Sequence, residues 1–127
     1  MVQPIRNPVD QGFTIVNVQL WRNRVMAERR FCCEDCGGFG VEMHETIVTR
    51  GDAHGLPDEK WLRVFSDCNM ACLCRACHKK RHGTDDFRGV AWKEACETYG
   101  EEAMREWYAG FEFKTPEARF SRDSSEP

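Results

Sequence analysis

The pattern of hydrophobic and polar positions along the chain predicts several helices and one strand. Over residues 16–30, apolar residues recur at three- and four-residue steps with charged residues between them, which indicates a helix. Residues 41–49 (VEMHETIVT) alternate and become β-branched toward their end, which indicates a strand. Residues 70–82 predict a second helix, capped by Asn69. Residues 90–113 predict one or two further helices.

Turn-forming and polar stretches divide these elements from one another. They predict an N-terminal arm over residues 1–19, irregular over residues 1–13, and a central domain over residues 20–89. A helical extension over residues 90–114, broken at Tyr99-Gly100, and a flexible tail over residues 115–127 follow. Together these elements predict a small α+β fold.

Length and cysteine content narrow the class of protein. No stretch of the 127 residues approaches the roughly 18 consecutive apolar residues that a membrane span needs. The N-terminus has no apolar core of a signal peptide, so we expect a soluble, cytoplasmic protein with no membrane partner. In a reducing compartment, eight cysteines favour metal ligands or free thiols over disulfides.

Charge is distributed unevenly along the chain. The net charge of −3 argues at first against a nucleic-acid partner. Residues 20–82, however, hold 11 Lys and Arg against 9 Asp and Glu, whereas residues 83–127 hold 6 against 11. The acidic excess therefore belongs to the C-terminal third, and the cysteine-rich middle is mildly basic. The negative net charge makes tight, non-specific DNA binding less expected, but the basic middle remains compatible with a DNA partner.

Two Cys-x-x-Cys pairs, Cys33/Cys36 and Cys74/Cys77, are the strongest chemical signal. Two residues between thiolates let both sulfurs reach one ion at about 2.3 Å, and two such pairs complete a tetrahedral site with no open position. This pattern predicts a structural zinc. Unrelated buried thiols are an alternative, and so is a dithiol redox motif, although a redox motif needs no second pair.

Histidines supply a second candidate metal site. His78 and His82 lie four residues apart, so on a helix they project from one face and can hold one divalent ion together. Two surface histidines near a helix end are the alternative interpretation. His44 lies in the predicted strand beside Glu45, and the residues that follow do not complete an HExxH protease motif.

Taken in order, these motifs form a longer pattern. Cys33 to Gly37 (CEDCG) is followed by the strand VEMHE, then by Asn69 and an apolar segment, and finally by Cys74-x-x-Cys77-His78 and His82-Gly83. This arrangement over residues 20–83 resembles the HNH endonucleases, whose core is a ββα-metal (His-Me) finger. The chain looks like the HNH enzymes that phages and mobile elements often encode.

The resemblance implies a role for each matching residue. It implies that His44, His78 and His82 bind one catalytic divalent ion, Mg²⁺, Mn²⁺, Ni²⁺ or Zn²⁺, and that the four cysteines hold a separate zinc. It implies that Asn69 ties the loop to the strand and orients the neighbouring base. The chain departs from the family at Glu45, where the family's general base is usually a histidine.

Glu45 remains chemically suited to that position. A carboxylate is ionised at pH 7 and can accept a proton from water that attacks a phosphodiester, with less driving force than imidazole. We therefore predict that Glu45 is the general base. A second metal ligand or the remnant of an inactive enzyme are the alternatives.

Basic residues near the motif are candidates for phosphate contacts, which position DNA without reading its sequence. They precede the first cysteine pair, follow the strand, or lie between the two helical histidines: Arg29, Arg30, Arg50, Lys79, Lys80 and Arg81. Arg50 is the strongest candidate because it follows the strand that carries His44. A solvated charged face is the alternative for the rest.

The predicted function is a metal-dependent DNA endonuclease that nicks or cuts phosphodiesters, in the host cytoplasm if the chain is phage-encoded. A non-catalytic zinc module that binds DNA or protein is the second interpretation. The third is an accessory nuclease in a larger DNA-processing assembly. The weak net charge fits this interpretation, because partner proteins would then supply the affinity for DNA.

Overall fold

The computed structural model describes residues 2–82, 87–117 and 120. Within these residues the fold is small α+β, with a two-stranded sheet and five α-helices. The elements in chain order are α1 (Val18–Glu28), β1 (Glu42–Glu45), α2 (Asp58–Trp61), β2 (Met70–Leu73), α3 (Arg75–His82), α4 (Phe87–Tyr99) and α5 (Glu101–Ala109). Short 3-10 turns at Leu62–Phe65 and Asp67–Asn69 connect α2 to β2.

The two strands and α3 form a ββα unit, in which α2 and two 3-10 turns lie between the strands. β1 pairs antiparallel with β2, and His44 lies opposite Ala71 in the register. The chain passes from β2 through Cys74 directly into α3. The short connection places the start of α3 beside the sheet, within reach of side chains from β1.

The predicted helix over residues 70–82 is wrong in its first part. Residues Met70–Leu73 form β2, and the helix begins only at Arg75. All four residues of β2 are buried, so their continuous apolar run carries neither a helical nor a strand period. This segment forms a strand because pairing with β1 supplies hydrogen-bond partners for its buried backbone.

Asn69 is therefore not the cap of a helix. It ends the 3-10 turn Asp67–Asn69 and is fully buried. The predicted strand over residues 41–49 is also shorter than expected, since β1 ends at Glu45. Beyond it, Thr46 N donates to Asn69 O at 2.8 Å, and the chain then turns away from the sheet.

One hydrophobic core joins the central part of the chain to its C-terminal helices. It includes Trp21 from α1, Phe65 from the 3-10 turn before β2, and Trp107 from α5. The Trp21 indole donates to Phe65 O at 2.7 Å, and the Trp107 indole donates to the Ser66 hydroxyl at 2.9 Å. Such buried indoles need a partner for their N–H groups, and these two hydrogen bonds supply it.

The predicted break between the last helices is confirmed. Gly100, with φ of 93°, separates α4 from α5, and glycine adopts this left-handed conformation without a steric penalty. Helix α4 begins at Phe87, so the predicted domain boundary at 89/90 falls inside a helix. Both helices contribute to the same core as the ββα unit.

The N-terminal arm is irregular, as predicted, but it is held in place. Its Arg6 side chain donates to Asp67 at 3.0 Å and to Glu28 at 2.6 Å. Most of the predicted tail over residues 115–127 lies outside the described residues. In the part of the chain that is described, no helix combines the length and the apolar character needed to cross a bilayer.

Candidate metal centres and the adjacent cleft

Four cysteines meet where the turn after α1 approaches the start of α3. The Sγ atoms of Cys33, Cys36, Cys74 and Cys77 all lie within 4.8 Å of one another, and Cys36 Sγ is 3.8 Å from Cys74 Sγ. A tetrahedral zinc with Zn–S bonds of about 2.3 Å separates its sulfurs by roughly 3.8 Å. The cluster therefore lies within metal-binding distance and is compatible with a structural zinc.

The pKa values of Cys33 and Cys77 also fit a bound cation. Burial raises the pKa of Cys33, but backbone hydrogen bonds from Cys74, Cys36 and Asp35 outweigh it and lower the pKa to about 6. The pKa of Cys77 rises to about 12 because its thiol hydrogen-bonds to Cys74 and neighbouring sulfurs. Crowded thiols resist joint ionisation, and a bound cation removes that conflict.

Three histidines form a second cluster. His44 comes from β1, and His78 and His82 come from α3. One ring nitrogen of each lies within 4.8 Å of the others, and the two Nε2 atoms of α3 are 3.0 Å apart. The cysteine and histidine clusters are separate, and they are the metal-ligand groupings found among the described residues. The spacing of His78 and His82 predicted their pairing, the resemblance implied His44 as the third ligand, and the three rings lie together in the structure.

Glu42 supports the histidine cluster from β1. Its Oε1 lies 2.7 Å from His78 Nδ1, which leaves His78 Nε2 directed at the other histidines. Arg75 donates to the other carboxylate oxygen at 3.2 Å. Sequence reasoning did not single out Glu42, although a signal existed: Glu42 and His44 are two apart in a strand and so share one face.

His44 is buried, and its surroundings keep its imidazole neutral. Burial, followed by the charges of His78 and His82, lowers the pKa of His44 to about 4. Neutral imidazole is the form that binds a metal ion. At pH 7 the His44 side chain is therefore already in the ligating state.

Glu45 is buried beside the histidines and lines the same open cleft, which has a volume of about 250 Å³. Arg50 Nε donates to Glu45 Oε1 at 2.8 Å, and a guanidinium nitrogen of Arg22 lies 3.6 Å from Oε2. Both arginines also stack over the Phe65 ring. Among the described residues, Glu45 Oε2 has no hydrogen-bond partner.

The Asn69 side chain ties together the backbone that follows β1. Its Oδ1 accepts hydrogen bonds from Ile47 N at 2.7 Å and Val48 N at 3.0 Å. Its Nδ2 donates to Val48 O at 2.7 Å and Val64 O at 2.8 Å. Three of these bonds connect the loop before β2 to the segment just beyond Glu45, and the fourth, to Val64, lies within that loop.

The six candidate phosphate-binding residues fall into two groups. Arg29 donates to the Asp67 carbonyl at 2.7 Å and also to Met70 O, and Arg81 pairs with Asp35, so internal contacts engage both guanidiniums. The others are exposed at the surface: Arg30, Arg50, Lys79 and Lys80. Of these, Arg50 reaches the cleft that holds the histidines.

Comparisons of the chain with protein-family models, with curated proteins and with solved structures find no match. The chemistry of the two clusters therefore rests on the chain's own residues. The geometry defines a small α+β domain with a four-thiol cluster suited to zinc and a separate three-histidine cluster beside a buried carboxylate.

Proposed function

We propose that this chain is a metal-dependent DNA endonuclease of the HNH type, with a ββα-metal finger at its centre. The observation that carries the proposal is the convergence of three histidines from β1 and α3 beside Glu45, apart from the four-cysteine cluster. A purely structural zinc module needs the cysteines but has no use for a second, incomplete set of ligands.

In this proposal His44, His78 and His82 hold one divalent ion, Mg²⁺, Mn²⁺, Ni²⁺ or Zn²⁺. Three protein ligands leave coordination positions open, as catalytic sites require, whereas four cysteines close theirs. The ion supplies charge neutralisation at the scissile phosphate and the leaving oxygen. Glu42 fixes the ring orientation of His78, and such partners strengthen a histidine as a ligand.

Glu45 takes the proton from the attacking water. Its Oε2 is buried without a hydrogen-bond partner among the described residues, 3.6 Å from an Arg22 nitrogen, and the residue lines the cleft. Arg50 is half exposed, which allows a DNA phosphate to compete for its guanidinium and to release the carboxylate. Asn69 positions Glu45 indirectly, by holding the backbone from Thr46 to Val48.

The test is a supercoiled-plasmid nicking assay with purified protein, scanned over the four divalent ions. His82→Ala and Glu45→Gln run beside the native chain, each checked for bound zinc, with Glu59→Gln on the exposed face of α2 as the matched control. We expect metal-dependent relaxation that falls by about 100-fold or more in Glu45→Gln, since a general base contributes at least that much. Full cleavage by folded Glu45→Gln would remove the base assignment.

A second candidate is a zinc module that binds DNA or protein without cleaving, or a nuclease that works only inside a larger assembly. Internal contacts of Arg29 and Arg81 favour this reading because they leave fewer basic groups for DNA. No cleavage with any ion, while zinc stays bound, would support it. Cleavage by the isolated chain would argue against a need for partners.

A further inference from the structure

Helix α3 carries two of the three histidines, yet it has little to hold it in place. It is eight residues long, and none of its side chains is buried. An isolated helix of this length is unstable in water, and most helices in proteins depend on a packed apolar face. In α3, apolar packing is limited to Cys77, which is partly buried against the small cluster of Cys33, Ala71 and Leu73. Further contacts must therefore position the rest of the helix.

These contacts are spread along the helix. Cys74 and Cys77 fix its first turn through the cysteine cluster, and Glu42 holds His78 in the middle. At its C-terminal turn, Arg81 makes two bonds to Asp35: Nε to Oδ2 at 2.6 Å and a terminal nitrogen to Oδ1 at 2.5 Å. The Arg81 side chain is 14% exposed and that of Asp35 is 35% exposed, so the pair is partly shielded from solvent.

The positions of the two partners give the pair its significance. Asp35 lies between Cys33 and Cys36, inside the turn that supplies half of the cysteine cluster. Arg81 immediately precedes His82. The final turn of a helix has unpaired carbonyl groups and frays readily, so His82 is the ligand most easily lost from the histidine cluster.

We propose that Arg81 is a positioning residue: its pair with Asp35 fastens the last turn of α3 to the cysteine turn and thereby sets the affinity of the three-histidine cluster for its metal ion. The inference rests on the proposed function only in that the histidines bind a divalent ion. Loss of the pair frees the last turn, which leaves His44 and His78 as the firmly held ligands.

The experiment measures the two clusters separately. Zinc per chain is counted by native mass spectrometry, and Ni²⁺ is titrated calorimetrically into the zinc-loaded protein. The variants are Arg81→Gln, Asp35→Asn and the double variant. His82→Ala gives the two-histidine limit, and Arg105→Gln, which breaks a comparable forked ion pair on α5, is the matched control.

We expect Arg81→Gln and Asp35→Asn each to weaken Ni²⁺ binding about 10-fold, the lower end of the range for residues that orient metal ligands. Zinc should stay at one per chain, and the double variant should bind no more weakly than either single variant, because both lose the same interaction. Arg105→Gln should match the native chain.

Several results would overturn the inference. They are Ni²⁺ affinity within twofold of native in Arg81→Gln, additive losses in the double variant, parallel loss of zinc, and a native chain that binds no Ni²⁺ at the histidines. Plasmid cleavage is scored independently. A native chain that shows the expected metal coupling but never cleaves DNA would sustain this inference and contradict an endonuclease that acts alone.

Discussion

Helix α3 contributes side chains to both the four-cysteine and the three-histidine cluster, and the two clusters differ in donor type, number and access. The cysteine cluster includes the fully buried Cys33 and joins the turn after α1 to β2 and α3. The histidine cluster includes the exposed His82 and borders a cleft that Glu45 also lines. Four soft donors form a closed site, whereas three imidazoles leave room for a ligand.

In the proposed function, the two clusters divide stability from chemistry. A zinc ion in the cysteine cluster would add folding energy to a 127-residue chain with a modest core, since unfolded chains do not assemble such a site. An open site gives up a ligand and must be held by other contacts. Here Glu42 of β1 contacts His78 of α3, and Arg81 of α3 contacts Asp35 in the turn that carries Cys33 and Cys36.

The largest expected effect comes from breaking the cysteine cluster. Cys74→Ser should release zinc and unfold the domain, because zinc binding contributes on the order of 10 kcal/mol in small metal domains, comparable to a whole domain's stability. Circular dichroism and zinc content measure the outcome. Cys96→Ser, a partly buried thiol on α4, is the control and should retain zinc. An unchanged melt with full zinc in Cys74→Ser would contradict the structural role.

A smaller loss of stability is expected from substituting Asn69, which holds the backbone that follows β1. Asn69→Ala removes four buried side-chain hydrogen bonds and should lower the free energy of unfolding by about 3 kcal/mol, since unpaired buried groups cost roughly 1–3 kcal/mol. Urea unfolding of the zinc-loaded protein measures it. Asn23→Ala on the exposed face of α1 should change stability little. Equal effects of the two variants would show that Asn69 is not a structural tie.

Glu42→Gln should affect the histidine cluster alone. We expect divalent ions to bind there 10- to 100-fold more weakly, the usual consequence of losing a carboxylate that orients a histidine ligand, while zinc in the cysteine cluster is retained. Calorimetric titration with Ni²⁺ measures the change. Glu59→Gln serves as the charge-matched control. Native affinity in Glu42→Gln would mean that β1 and α3 hold His78 without this contact.

The smallest expected effect is a pH dependence of stability. Burial and the neighbouring histidines lower the pKa of His44 to about 4, below the ordinary value of 6.5. Between these values the unfolded chain binds a proton that the folded chain does not, so stability falls as the pH decreases from about 6.5 toward 4. The native chain without added divalent ion should lose more stability from pH 7 to pH 5 than His44→Asn. Equal losses in urea unfolding would contradict this.

Local spacing made part of the candidate site predictable. Two thiols separated by two residues can reach one ion wherever they lie, and the predicted cysteine cluster is present. The break at Tyr99-Gly100 was equally local, because it depends on the left-handed φ that glycine adopts freely. The roles of His44, Asn69 and Glu45 in catalysis remain predictions.

The sequence by itself therefore determined the ligand types, their local pairing and the end of α4, since each depends on residues a few positions apart. Only the tertiary structure decided that residues Met70–Leu73 form a strand, because a buried apolar run takes its conformation from the partner it finds. It also decided that Arg22 faces Glu45 and that Arg81 binds Asp35, 46 residues away. Contacts between distant segments depend on how the whole core packs, and no local period encodes them.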